Sequence, residues 1–211
     1  MKVIITIVGV ALVLSSCVVN ENFEQRVRSC DPSLAMDKEA LLYHDKDYLN
    51  ILMMASEVGC FSLVKSLVDK IDVNERTHIG TTALFSAVAG NNIKIVQFLI
   101  KKGVEVNATD NPSNVEALLF AVTQGEVQMV KILLDAGANP NRRGKQLKST
   151  PIHYAVIGQR YALVELLLKY GADPTVKAKR LGTPLDIAKR KNDRRMIDLL
   201  RGKLQFRGHN T

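Results

Sequence analysis

Between Asn50 and Leu200 the chain repeats itself, and the interval limits the folds open to it. Asn50, Thr82, Glu116, Thr150 and Thr183 align at one position, with steps of 32, 34, 34 and 33 residues. Leu67, Leu99, Leu133, Leu167 and Leu200 align at a second position with the same steps. A period of this length marks a stack of small units, none of which can bury its apolar face alone. The folding unit is therefore the array, with each copy held by its neighbours. Composition agrees: 46% of residues are hydrophobic, but only 5% are aromatic and none is Trp. Branched and small aliphatic side chains of this kind suit helices packed on helices.

Each copy reads as two helices followed by a projecting hairpin. Thr82, Thr150 and Thr183 stand where a hydroxyl can cap a first helix. Pro151 and Pro184 follow at the first helical position, where a missing N–H costs nothing. Gly59 and Gly125, with Asn91 and Asn192 in the same slot, suit a left-handed turn between the helices. The second helices carry dense apolar runs, such as Leu163 to Leu168 and Met129 to Leu134. Gly103, Gly137 and Gly171 end them. The clearest copy, TPIHYAVIGQRYALVELLLKYGADP from Thr150 to Pro174, resembles the ankyrin repeat, whose signature is T-P-L-H-x-A followed by a second helix and G-A-D. The resemblance implies an all-α solenoid of about five helix pairs with hairpin fingers, spanning residues 49–203.

Departures from that pattern set further expectations. The repeat histidine survives only as His153; Met53, Phe85, Leu119 and Asp186 replace it elsewhere. Repeat one has Asn50-Ile51 and repeat three has Glu116-Ala117 in place of Thr-Pro, so both are expected to be less well capped. Lys189, Arg190, Lys191, Arg194 and Arg195 make repeat five a polar terminal cap, with a tail over residues 204–211. At the other end, residues 33–48 read as a capping helix with Leu34, Leu41 and Leu42 on its apolar side. Met36 reads as an ordinary helix methionine, although initiation there would yield an unanchored form with every repeat.

The amino terminus addresses the chain to a membrane. Lys2 precedes an apolar run from Val3 to Leu14, too short to span a bilayer but the right length for a secretory signal. The run ends in Leu14-Ser15-Ser16-Cys17, which resembles the lipobox of bacterial lipoproteins. That resemblance makes residues 1–17 a signal ending at a lipidated Cys17, the alternatives being an ordinary cleaved signal or a plain N-terminal anchor, followed by a polar tether over residues 18–32. In lipoproteins an aspartate after the cysteine tends to retain the protein at the inner membrane, so with Val18 there the resemblance implies the inner leaflet of the outer membrane. Cys30 and Cys60 remain as a disulfide pair for an oxidising periplasm, or as two independent thiols.

No motif for catalysis or cofactor binding occurs: there is no Gly-x-Ser-x-Gly elbow, His-Glu-x-x-His, phosphate loop or paired Cys-x-x-Cys. The four histidines, His44, His78, His153 and His209, are scattered, and His153 matches the repeat position that hydrogen-bonds internally. Asn107-Ala108-Thr109 matches a glycosylation acceptor, but the asparagine is a letter of the repeat. The chain is therefore expected to bind rather than to catalyse, with no cofactor and no metal.

The charge is unevenly spread. Residues 1–141 hold 12 basic and 16 acidic side chains, net −4, whereas residues 142–211 hold 17 and 5, net +12. Either the terminal element is simply solvated, or a basic surface meets an acidic protein or anionic lipid. The family's binding mode implies a groove formed by fingertips and first helices. Its candidate contacts are His78, Ser86, Asp110, Asn114, Phe120, Gln124, Arg142, Arg143, Lys145, Lys148, Tyr154, Lys177, Lys179 and Arg180. Nucleic acid is disfavoured by compartment and by the lack of aromatic interleaving. The chain is expected to be monomeric, with a single protein partner. Fold and address together resemble immunity lipoproteins that protect against type VI secretion phospholipases. The alternative is a periplasmic assembly factor for an endogenous enzyme such as a catalase.

Overall fold

The computed structural model describes residues 23–43, 50–77, 80–108, 116–144 and 147–207, with side chains through residue 202. Five helix pairs run in succession: α3 (Ile51–Val58) and α4 (Phe61–Leu67), α5 (Ala83–Ala89) and α6 (Ile93–Lys101), α7 (Ala117–Gln124) and α8 (Val127–Asp135), α9 (Pro151–Ile157) and α10 (Tyr161–Lys169), α11 (Pro184–Arg190) and α12 (Arg194–Arg207). Each first helix packs on the next, α3 on α5 through to α9 on α11, and the second helices form the outer layer. Among the described residues no strand forms, and the architecture is all-α.

Repetition of sequence becomes repetition of burial. In the second helices, Leu63, Ile95, Met129, Leu163 and Met196 form one column, and Leu67, Leu99, Leu133, Leu167 and Leu200 another. No member of either is more than 1% exposed. Each such side chain contributes about 1.5–3 kcal/mol by leaving water. Ala55, Ala87, Ala121, Ala155 and Ala188 line up in the first helices, equally buried, and their small size lets adjacent helices approach closely. Gly90 marks the tightest approach: a Cβ there would lie 2.0 Å from the Glu57 carbonyl oxygen of the preceding repeat.

The helix ends follow the expected chemistry with one correction. Thr82 and Thr183 hydroxyls accept from the N–H groups of Phe85 and Asp186, each at 3.2 Å. Repeat one, expected to be poorly capped, is not: Asn50 Oδ1 accepts from Met53 N–H at 3.0 Å, because an asparagine amide oxygen reaches the same donor as a threonine hydroxyl. Repeat three lacks a side-chain cap, as expected of Glu116. The inter-helix slot is left-handed in every repeat: Gly59 (φ 92°), Asn91 (54°), Gly125 (91°), Gln159 (53°) and Asn192 (54°).

The amino-terminal segment differs most from expectation. Residues 23–28 are helical (α1) rather than part of a polar tether. Phe23 and Val27 enter the core, and the Phe23 ring lies 4.0 Å from that of Tyr43. Val27 recurs four residues after Phe23, so one face of a short helix is apolar although the segment as a whole is polar. A disulfide joins Cys30 to Cys60 at the start of α4, 30 residues away. The expected capping helix is also broken. A 3-10 turn, Pro32–Met36, is capped by Asp31, and a separate helix, α2 (Lys38–Leu42), is capped by Asp37 accepting from Glu39 and Ala40 N–H groups. Asp37 competes for backbone donors and so divides what hydrophobic spacing alone would join. At the carboxyl end, α12 continues to Arg207, into the expected tail. Cys17, the leader and residues 44–48 of the expected capping helix lie outside the described residues.

Candidate protein-binding surface

The fingers are held in register by an asparagine ladder. Asn74, Asn107 and Asn141 accept, through Oδ1, from the backbone N–H of Glu105, Asn139 and Asp173 in the next finger, at 2.7–2.8 Å. Asn107 and Asn141 also donate to the carbonyls of Gly137 and Gly171, at 3.0 and 2.9 Å. Both ends of these two amides are thus occupied by backbone, which accounts for Asn107 structurally. The hairpins close through Thr77 N–H to Thr81 O (3.0 Å), Gly144 N–H to Ser149 O (2.9 Å) and Ala178 N–H to Gly182 O (3.0 Å). The Gly144–Ser149 closure, in finger three, encloses one residue more than the other two, as the longer sequence of that finger implies.

Fingers three and four meet. Lys179 N–H donates to the Leu147 carbonyl at 2.7 Å, tying the two tips together by backbone. Arg143, Lys148, Lys177, Lys179 and Arg180 are all exposed on these two fingers, and Lys148 and Arg180 turn the chain in left-handed conformations. Five of the expected basic contacts therefore share one projecting surface. Arg142 plays a different part. It is half-buried, with Nε 2.5 Å from Oε1 of Glu116, which is 3% exposed. The contact is an ion pair. Burial raises the Glu116 carboxyl to about 7, against the opposing pull of the Arg142 charge.

The inner face of the first helices is aromatic at its centre. Phe85 and Phe120, both half-buried, meet edge to face with centroids 5.3 Å apart. Tyr154 lies one repeat further along, also half-buried, its hydroxyl accepting from Ser149 Oγ at 3.0 Å. Gln124 is exposed at the end of α7. Ser86 is corrected: at 2% exposure it is buried where α5 packs tightly on α3, and it offers no surface to a partner. The half-buried residue beside it is Phe85, one of the positions where the repeat histidine is replaced. His153 is a structural residue. Its Nδ1 accepts from Thr150 N–H at 3.1 Å, leaving the proton on Nε2, which faces the Gly182 carbonyl at 3.2 Å. Burial holds its pKa below the ordinary value. His78, Asp110, Asn114 and Lys145 lie outside the described residues.

Known proteins place this geometry in a family. The family model described as "Ankyrin repeats (3 copies)" matches residues 30–110 and 109–178. The chain belongs to the ankyrin-repeat family. Among solved structures, it is similar to the ankyrin repeat domain of Bcl-3, described as a unique member of the IkappaB protein family. The TM-score is 0.75 at 30% identity, over 85% of this chain and 81% of that one. A curated relative, alpha-latrocrustotoxin-Lt1a of Latrodectus tredecimguttatus, is 44% identical over 59 residues, 27% of this chain. That stretch spans only 4% of the relative's length. Ankyrin repeats are protein–protein interaction scaffolds, and this chain is an interaction module of that kind. Among the described residues, no cluster of His, Cys, Asp and Glu is arranged to hold a metal, and no helix is long and apolar enough to cross a membrane.

Proposed function

We propose that this ankyrin-repeat protein is a lipid-anchored periplasmic immunity protein that binds and neutralises a phospholipase-type toxin of type VI secretion. The observation that carries the reading is the joined basic surface of fingers three and four beside the Phe85–Phe120–Tyr154 face. Aromatic anchors next to cationic rims are what compact protein interfaces use: rings fill pockets, while charges steer encounter and select the partner. An acidic or substrate-binding cleft fits such a surface. The lipobox-like Leu14-Ser15-Ser16-Cys17 supplies the address, since a toxin that attacks lipid from the periplasm is best met at the membrane.

Co-expression tests the reading. The product of the neighbouring gene, directed to the periplasm, should be toxic alone and harmless with this protein. The two should also co-purify at a fixed ratio. Replacing Lys148, Lys177, Lys179 and Arg180 together by glutamate should abolish protection while leaving the fold intact. A neighbouring product that is neither toxic nor bound refutes the immunity role.

A further inference from the structure

Two of the large apolar side chains are conspicuously exposed, and both lie at the amino-terminal end of the stack. Met36 is 78% and Leu42 is 79% exposed, against 43% for Val58 and Val127 and 37% for Ile157. Neither position is an accident of loose packing. The 3-10 turn that presents Met36 is fixed by Asp31 at one end and by Leu34 and Ala35 in the core. Lys70 of the first repeat donates to the Ala35 carbonyl and lies 3.3 Å from the Met36 sulfur. Leu42 ends α2, whose Ala40 is buried. Arg28, Lys38 and Glu39 stand exposed on the same segment, so the charge around the two side chains is mixed.

The length of chain before this end limits what can cover it. Among the described residues the core begins at Phe23, and the Cys30–Cys60 disulfide binds that segment to the first repeat. Only residues 18–22 separate Cys17 from Phe23. Six residue steps span at most about 20 Å. A cysteine anchored in lipid therefore holds this end of the stack against the surface, whereas a tether running through residue 32 would have let the domain tumble well clear of it. Four repeat steps of about 8–10 Å each place repeat five, and the basic fingers near it, about 30–40 Å farther along the stack.

We propose that the amino-terminal end of the stack is a bilayer-contact surface, in which Met36 and Leu42 enter the boundary between headgroups and acyl chains. The proposal rests on the reading of Cys17 as the acylated residue. It adds that the domain stands end-on, with two apolar side chains shielded by lipid and the basic fingers directed into the aqueous compartment. Such side chains sit about 5–10 Å into the interface when an amphipathic surface lies on a membrane.

The absence of tryptophan from the chain gives a clean test. Leu42→Trp and Ile157→Trp are prepared in the full chain, acylated in a bacterial host and reconstituted in phosphatidylcholine–phosphatidylglycerol vesicles, with and without bromine on the acyl chains. Leu42→Trp emission should shift to the blue on reconstitution and be quenched by bromine at least about twofold more than Ile157→Trp, which reports a site away from the cap. Equal quenching of the two, with the unsubstituted protein still floating with vesicles and Cys17→Ser not, overturns the end-on contact and leaves the anchor standing. A blue shift without bromine quenching also overturns it, because a second protein copy then covers the patch. Failure of the unsubstituted protein to float refutes the anchor and this proposal together.

Discussion

Replacing Glu116 by glutamine should change how the stability of this protein depends on pH, by an amount that follows from the geometry. Glu116 occupies the cap position of the third repeat, makes no cap and is 3% exposed. Its carboxyl is raised by burial from 4.5 to about 7 in the folded state, with Arg142 opposing the shift. A raised carboxyl contributes stability that is present in full below pH 4.5 and lost as pH climbs towards 7. The displacement corresponds to about 3 kcal/mol between the two ends of that window. Glutamine has the same shape and does not titrate. The stability difference between unsubstituted protein and Glu116→Gln should therefore move by about 3 kcal/mol in favour of the variant between pH 4.5 and pH 8. Equilibrium urea unfolding followed by far-ultraviolet circular dichroism measures it. The comparison with the variant is needed because His153 runs the other way: its lowered pKa means stability is lost as pH falls below 6.5. A difference that stays flat within about 1 kcal/mol across the range would refute the reasoning. The Arg142 contact would then hold Glu116 ionised throughout.

Three further outcomes test other parts of the structure. Leu133→Ala, in a fully buried column of the central repeat, should cost about 3–5 kcal/mol in the same unfolding assay. Cys30→Ala should cost about 3–4 kcal/mol, the loop entropy returned to the unfolded chain by opening a 30-residue crosslink. It should also expose residues 23–28 to limited proteolysis before any repeat is cut. Gln159→Gly should stabilise the fold by up to about 1 kcal/mol, since Gln159 holds a left-handed φ of 53° where two other repeats use glycine; no rise in the thermal midpoint would mean that its contact with Asp193 is worth more than the strain.

The helical repeats were legible because the sequence signal and the packing share one period. Leu67 and its four equivalents align in sequence and are all buried for the same reason. What failed to read through was local competition and pairing across the repeats. Asp37 splits the expected capping helix because its carboxylate reaches two backbone donors, which no hydrophobic pattern reports. Phe23 and Val27 were lost in a polar stretch, since two apolar residues are too few to announce a docked helix. In the candidate surface, the basic residues of fingers three and four were visible as a charge run, but their union depends on one backbone contact, Lys179 to Leu147. Ser86 was misplaced because adjacent positions on a first helix differ in burial with the tightness of the neighbouring contact. The asparagine ladder was recognisable only as a recurring letter; its role needs the adjacent finger to be in place.

The disulfide at the first repeat gives the array a direction. In a linear stack each unit leans only on its neighbours, so either end can fray and let the loss spread inward. Here the first repeat is clamped by a covalent link and by α1, while repeats two to five carry no cysteine. Loss of structure should therefore begin in the later repeats and travel back towards the crosslink. The basic fingers lie along that route, so a partner seated on fingers three and four would act as a brake on unzipping. Binding and resistance to unfolding would then be one measurable quantity far from the crosslink and two separate ones beside it.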